Sequence, residues 1–208
     1  MDGMNKSLSR LCLVGAVVGA LSLSACASDD SKTLYGYVPP STKNSASVSV
    51  TEAGATSPFT LRAKAGEMLI VYFGYTHCPD VCPTTLVAIK NAKKKVGAEL
   101  AAKVDLAMVT VDPDRDTTDV LPRYLSSFTD RYHALVPASQ DELRAAEKPF
   151  GATSSVTTVD GEVKVVHGGT AYIVDANGDV VVEWPFGLDA ASMAHDIEVL
   201  LNQGKATT

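Results

Sequence analysis

From Met68 to Val96 the chain reads "MLIVYFGYTHCPDVCPTTLVAIKNAKKKV": an apolar run, two cysteines separated by three residues, then a helix-like stretch. The opening run is apolar, β-branched and aromatic throughout, as in strands buried on both faces of a sheet. Pro83 stands just past the second cysteine, where the first turn of a helix tolerates proline. The chain is thus committed to a strand-to-helix junction with Cys78 and Cys82 at its hinge. Residues four apart share a helix face, so with Cys82 opening the helix and Cys78 in the loop above it, the two sulfurs can converge. Such a pair can exchange electrons, close a structural disulfide or hold a metal.

Strand and helix patterns alternate onward. "VDLAMVTV" reads as a second buried strand, and "DTTDVLPRYLSSF" places Val120, Leu121, Tyr124, Leu125 and Phe128 at helical spacing, a β-α-β-α order that predicts a parallel core. Ser139 and Glu142 form a capping-box signature ahead of a short helix that stops around Pro149 to Gly151. Asp160-Gly161 and Asn177-Gly178 are hairpin turn signals in "SVTTVDGEVKVVH" and "TAYIVDANGDVVVEW". A last helix follows Asp189 as N-cap, with Met193, Ile197, Leu200 and Leu201 on one face. The expected class is α/β with a thioredoxin-like fold: a central mixed sheet flanked by helices, with an added hairpin.

The start of the chain bears on the chemistry of the thiols. Lys6 and Arg10 precede "LCLVGAVVGALSLSA", which is short for a bilayer span and ends in small residues, as a secretory signal does. Leu23-Ser24-Ala25-Cys26 resembles a bacterial lipobox, with Cys26 as the lipid-bearing first residue of the mature protein. Residues 1–25 are then a lipoprotein signal peptide, residues 26–47, rich in Ser, Thr, Asp, Lys and Pro, a flexible tether, and residues 48–208 the domain. The protein is expected at the cell membrane, lipid-anchored on the extracytoplasmic face. Of four cysteines, Cys12 leaves with the signal and Cys26 carries lipid, so only Cys78 and Cys82 keep thiols. A loop closed by one turn restrains little of the unfolded chain, so stabilisation is a poor reason for that pair. A chain of 208 residues is long enough to bury a core without disulfides, and a net charge of −6 with no basic block excludes nucleic acid as a partner.

"FGYTHCPDVCPTTL", then "VTVDPDRDT", then a His ahead of "AYIVDANGDVV" resemble the Sco/SenC family of copper-binding proteins that assist cytochrome c oxidase assembly. The likeness runs from about Phe59 to Leu201. It implies a copper site, Cu(I) or Cu(II), with Cys78, Cys82 and His167 as ligands, and a copper-receiving subunit of cytochrome c oxidase as partner. In a thioredoxin-type fold the loop at His167 faces the thiols where redox enzymes carry a cis-proline. Here Gly168-Gly169-Thr170 stands instead, which leaves space for metal. Two positions depart from the family pattern, Val166 where Asp is common and Thr118 where proline is; neither is a proposed ligand.

The donor chemistry agrees with that implication on its own terms. A helix N-terminus favours thiolate over thiol, and two thiolates with one imidazole suit copper, with zinc competing, whereas magnesium and calcium demand oxygen. His77, the runner-up for the third ligand because it adjoins Cys78, is expected to face solvent instead, His133 to be a loop or edge residue and His195 to be solvated. Asp112 and, less strongly, Asp80 are expected to orient a ligand or meet a partner beside the site. Tyr75 and Tyr172 are expected as packing. Two other functions remain: a thiol-disulfide oxidoreductase in which Cys78 and Cys82 are catalytic, toggling between dithiol and a Cys78–Cys82 disulfide, and, more weakly, a peroxiredoxin-like or redox-sensing enzyme.

Overall fold

The computed structural model describes residues 32–203; the signal segment 1–25 and Cys26 lie outside them. In chain order the elements are β1 (Ser49–Val50), β2 (Phe59–Thr60), β3 (Met68–Gly74), α1 (Val81–Lys95), α2 (Gly97–Ala101), β4 (Val104–Thr110), α3 (Val120–Leu125), β5 (Tyr132–Leu135), α4 (Gln140–Glu147), β6 (Ser154–Val159), β7 (Glu162–His167), β8 (Ala171–Val174), β9 (Val180–Trp184) and α5 (Ala190–Gln203). One five-stranded sheet runs in the order β5-β4-β3-β8-β9. β3 pairs parallel with β4, and β4 with β5, whereas β8 and β9 run antiparallel. This mixed sheet, flanked by helices and carrying the separate β6–β7 hairpin, is the thioredoxin-like arrangement that the element order predicts.

Every residue of β3 and of β4 is buried, because both faces of the central strands are covered. Alternation along β3 sends Tyr72 and Gly74 toward α1, where a Cβ on Gly74 would crowd Cys82. It sends Phe73 the other way, onto Phe150 and Tyr172, with ring centroids 5.4 Å and 6.2 Å away. Tyr172 is therefore packing, as expected. The turn signals hold: Asp160 takes φ 53 and Gly161 φ 81 in the β6–β7 hairpin, and Gly178 takes φ 84 between β8 and β9.

The capping box at α4 closes on one side only. Ser139 Oγ accepts from Glu142 N at 3.1 Å, but the Glu142 carboxylate accepts from Ala138 N and Thr51 N, both at 2.6 Å, which pins the residues after β1 to α4. Thr51 and Ala53 then pair with Val136 and Ala134 along the outer side of β5. His133 sits on that edge strand, as the sequence suggests, with Nδ1 2.7 Å from Glu52.

The expected tether differs in the structure from Tyr35 onward. Tyr37 exchanges two backbone hydrogen bonds with Glu183, and Lys43 O and Ser45 N continue the pairing along β9. Tyr35 N and Gly36 N donate to the Asp196 carboxylate at 2.7 Å and 2.9 Å, and Trp184 Nε1 donates to it at 2.9 Å. The domain's contacts thus begin before Val48. A polar composition there reflects pairing by main chain rather than freedom, and both outer strands of the sheet are covered as a result.

Candidate metal centre

The thiol-bearing loop leaves β3 at Gly74 and enters α1 at Val81. Cys78 lies in the loop and Cys82 in the first turn of α1, where its N–H points at the Cys78 sulfur, 3.3 Å away. The loop is tied down by Asp116, which is fully buried. Asp116 accepts from Thr76 N at 2.9 Å, from the Thr76 hydroxyl, and from the Thr110 hydroxyl at 2.7 Å. One carboxylate thereby joins the end of β4 to the residues just ahead of the first cysteine. Neither Asp116 nor Thr76 stood out in the sequence; "VDPDRD" offers three aspartates, and nothing in it says which one folds inward.

The third donor arrives from the opposite side. His167 ends β7 and puts Nε2 3.9 Å from the Cys78 sulfur and 3.6 Å from the Cys82 sulfur. Its Nδ1 lies 2.7 Å from the Gly168 carbonyl, an acceptor, so the ring proton sits on Nδ1 and Nε2 keeps its lone pair toward the sulfurs. The donor atoms of Cys78, Cys82 and His167 all lie within 4.8 Å of one another, a grouping that could hold a metal ion. Both cysteines are free thiols, 8% and 0% exposed.

Burial overrides the helix N-terminus at Cys82. Its thiol is pushed up to about 12, first by desolvation, against the opposing pull of a Tyr75 backbone hydrogen bond and of the Tyr72 hydroxyl. Cys82 is therefore a thiol rather than a ready anion, and a metal ion bound there would have to displace its proton. A Cβ on Gly74 would lie 3.0 Å from the Cys82 sulfur, so only glycine lets the strand pass this close. The Gly168-Gly169 pair provides less room than its composition suggests. Gly168 is open, but a Cβ on Gly169 would sit 2.9 Å from Phe186 and 3.1 Å from Val81.

The remaining candidates stand apart from the sulfurs. Asp112 is buried and pairs with Arg115; Arg115 lies over the Tyr75 ring at 5.9 Å, and that ring meets His167 edge-on at 5.5 Å. Asp112 thus reaches the site through two intervening side chains, and Tyr75 is a wall of the site rather than plain packing. Asp80 is the N-cap of α1 and accepts from Thr84 Oγ1 at 3.2 Å, beside Cys78 in a shallow cleft whose rim includes Val166. His77 is exposed, 3.7 Å from Asp116. His195 bonds the Thr33 carbonyl at 3.0 Å, remote from the thiols in its contacts.

A family model described as SCO1/SenC matches residues 51–202. The chain belongs to the SCO1/SenC family. Among SCO1/SenC relatives, a SCO2-like protein of Rickettsia prowazekii is 31% identical over 118 residues, 54% of this chain and 56% of that protein. The chain spans about half the length of the curated relatives it matches. The solution structure of apo Sco1 from Thermus thermophilus is similar with a TM-score of 0.64 and 28% identity, covering 85% of this chain and 98% of that one. ScoI of Bradyrhizobium japonicum, solved with copper bound, is similar with a TM-score of 0.62 and 28% identity, covering 73% and 95%.

Proposed function

We propose that this SCO1/SenC protein binds copper through Cys78, Cys82 and His167 and delivers it to, or helps mature, the dinuclear copper site of a cytochrome c oxidase subunit. The observation that carries the reading is the imidazole Nε2, free of its proton and facing two buried sulfurs at 3.6 Å and 3.9 Å. Two sulfurs and one nitrogen are soft to borderline donors that accommodate both Cu(I) and Cu(II), and a copper-bound relative shares the fold. Copper here is cargo. The protein's part is to present Cys78 and His167 at a shallow cleft, with Cys82 buried behind them, where a receiving site can compete for the ion. Asp112 and Asp80 act by orienting Arg115 and the start of α1 rather than by touching the ion.

Attachment to the membrane belongs to the same proposal. Among the described residues no helix is long and apolar enough to cross a membrane, and the lipobox-like Leu23-Ser24-Ala25-Cys26 supplies the anchor on the extracytoplasmic face. Mass spectrometry of membrane fractions should find a mature chain beginning at a diacylglyceryl-modified Cys26. An unmodified chain still carrying Met1 removes this part.

A second reading, a thiol-disulfide oxidoreductase that keeps the subunit's cysteines reduced, draws on the Cys82 N–H that points at the Cys78 sulfur, a contact that would assist an attacking thiolate. The deciding experiment titrates the reduced full chain with Cu(I) and Cu(II). Uptake of one equivalent of each, abolished in Cys78→Ser and Cys82→Ser, supports copper binding; uptake no different from those variants overturns it.

A further inference from the structure

Two exposed rings stand where the chain first docks on the sheet. Tyr35 and Tyr37 are 63% and 56% exposed, and Val38 beside them is 54% exposed. The backbone that carries them is pinned: Tyr35 N and Gly36 N donate to the buried Asp196 carboxylate, and Tyr37 exchanges hydrogen bonds with Glu183 of β9. Gly36 is turned inward, where a Cβ would lie 2.3 Å from Val182 and 2.7 Å from Trp184, so that only glycine fits between the two tyrosines. The rings on either side of it stay outside, Tyr35 edge-on against His195 at 4.9 Å. An ordered segment thus presents two phenols and a valine to solvent, and from Thr33 to Thr42 its sequence carries no charged side chain.

Single exposed apolar residues need no explanation, but three within four positions of a pinned segment make a patch. Tyrosine joins an apolar ring to a polar tip, the combination enriched where the hydrocarbon of a bilayer meets water. Its place in the chain selects the surface it meets. Cys26, the lipid-bearing residue of the proposed anchor, stands nine residues before Tyr35, and nine residues fully extended span at most roughly 30 Å. The anchor therefore keeps the patch within reach of the headgroups, and no charge in the patch opposes the contact. We propose that Tyr35, Tyr37 and Val38 rest in the headgroup region of the membrane as a second contact beside the lipid. The lipid holds the domain, and the rings orient it. Tyr37 lies beside the row Glu183–Tyr172–Val71, three strand spacings or roughly 15 Å from β3. β3 ends three residues past Val71, at Gly74, so the contact keeps the thiol-bearing end of the sheet near the bilayer, where a copper acceptor held in the same membrane would meet it.

This inference rests on the membrane attachment proposed above, and its test supplies that attachment chemically so that the two can fail separately. The chain from Cys26 onward, which holds every described residue, carries Cys78→Ser and Cys82→Ser and is joined through Cys26 to a maleimide phospholipid in phosphatidylcholine vesicles. Hydroxyl-radical labelling, read by mass spectrometry, compares it with the same chain free in solution. Labelling of Tyr35 and Tyr37 is expected to fall by roughly threefold or more on the vesicles, as for rings withdrawn from water into the interface. Val159 and Val163 of the hairpin, which are also exposed, should be labelled equally in both states. Tyr35→Ser combined with Tyr37→Ser should return the labelling of Val38 on vesicles to its level in solution. Equal labelling of the two rings on and off vesicles overturns the inference. So does protection that grows with protein density at fixed lipid, since a second copy of the chain would then be what covers the patch. An unmodified Cys26 in cells would remove the proposed anchor without moving any of these readings.

Discussion

His167 reaches the Cys82 sulfur from 85 positions down the chain, at 3.6 Å, and does so with the nitrogen whose lone pair is free. The site is therefore complete only when the far end of β7 is seated against the start of α1. A disulfide between Cys78 and Cys82 would consume both sulfur donors and leave the imidazole alone. Copper uptake is expected from the reduced chain and not from the oxidised one, read by equilibrium dialysis under matched redox conditions. Equal uptake by both forms would remove Cys78 and Cys82 from the ligand set.

Asp116 is the joint between β4 and the thiol-bearing loop. Asp116→Ala deprives Thr76 N and the Thr110 hydroxyl of a buried charged acceptor, a loss of roughly 3 kcal/mol on the usual scale of such bonds. Asp116→Asn keeps the shape and one acceptor oxygen, so its loss should be about half. Urea unfolding of the reduced protein measures both; an alanine variant as stable as the parent contradicts the role given to this carboxylate.

The sequence made the strand–thiol–helix junction legible because burial on both faces writes an unbroken apolar run, and the two hairpins legible because their turns need Asp-Gly and Asn-Gly. Contacts between side chains far apart in sequence leave no such trace. Asp196 looks like one more polar residue of α5, yet it is fully buried and anchors Tyr35 N and Gly36 N. The same blindness makes residues 35–47 read as tether. A chain beginning at Val48 loses both main-chain donors to Asp196 and should be about 2–4 kcal/mol less stable than one beginning at Lys32. Equal denaturation midpoints for the two would show that the segment's docking contributes nothing.

The cluster on the β5 edge sets a pH window. Burial alone would raise the Asp105 carboxyl, but His133, 3.7 Å away, and the charges of Arg131 and Lys64 outweigh that and hold it at about 2, below its ordinary 3.8. Burial favours neutral His133, but the Asp105 carboxylate 3.7 Å from Nε2 and the Glu52 carboxylate 2.7 Å from Nδ1 outweigh it and raise the ring above its ordinary 6.5. The Asp105 contribution is therefore complete above pH 3.8 and lost as pH falls toward 2, whereas the His133 contribution is complete below pH 6.5 and lost as pH rises through the raised value. Thermal unfolding across pH should show the decline on the alkaline side weakened in His133→Gln. An unchanged alkaline limb in that variant contradicts the assignment.

His167 also separates copper delivery from thiol exchange. Exchange needs one attacking and one resolving sulfur, so His167→Ala should leave reduction of a partner disulfide largely intact while Cys78→Ala abolishes it. Copper binding distributes its needs differently. Two sulfurs can satisfy the linear geometry that Cu(I) accepts, but Cu(II) prefers nitrogen among its donors, so His167→Ala should weaken Cu(II) by about 100-fold or more and Cu(I) by less. The variant is informative because, besides the two sulfurs, the imidazole meets Gly168 O and the rings of Tyr72 and Tyr75, so its removal disturbs little of the core. If delivery is the task, oxidase maturation in cells should fail as fully in His167→Ala as in either cysteine variant, and added copper should restore part of it. Normal maturation in His167→Ala, with both cysteine variants failing, would mean that the sulfurs act on a partner's disulfide and that the nitrogen beside them is incidental.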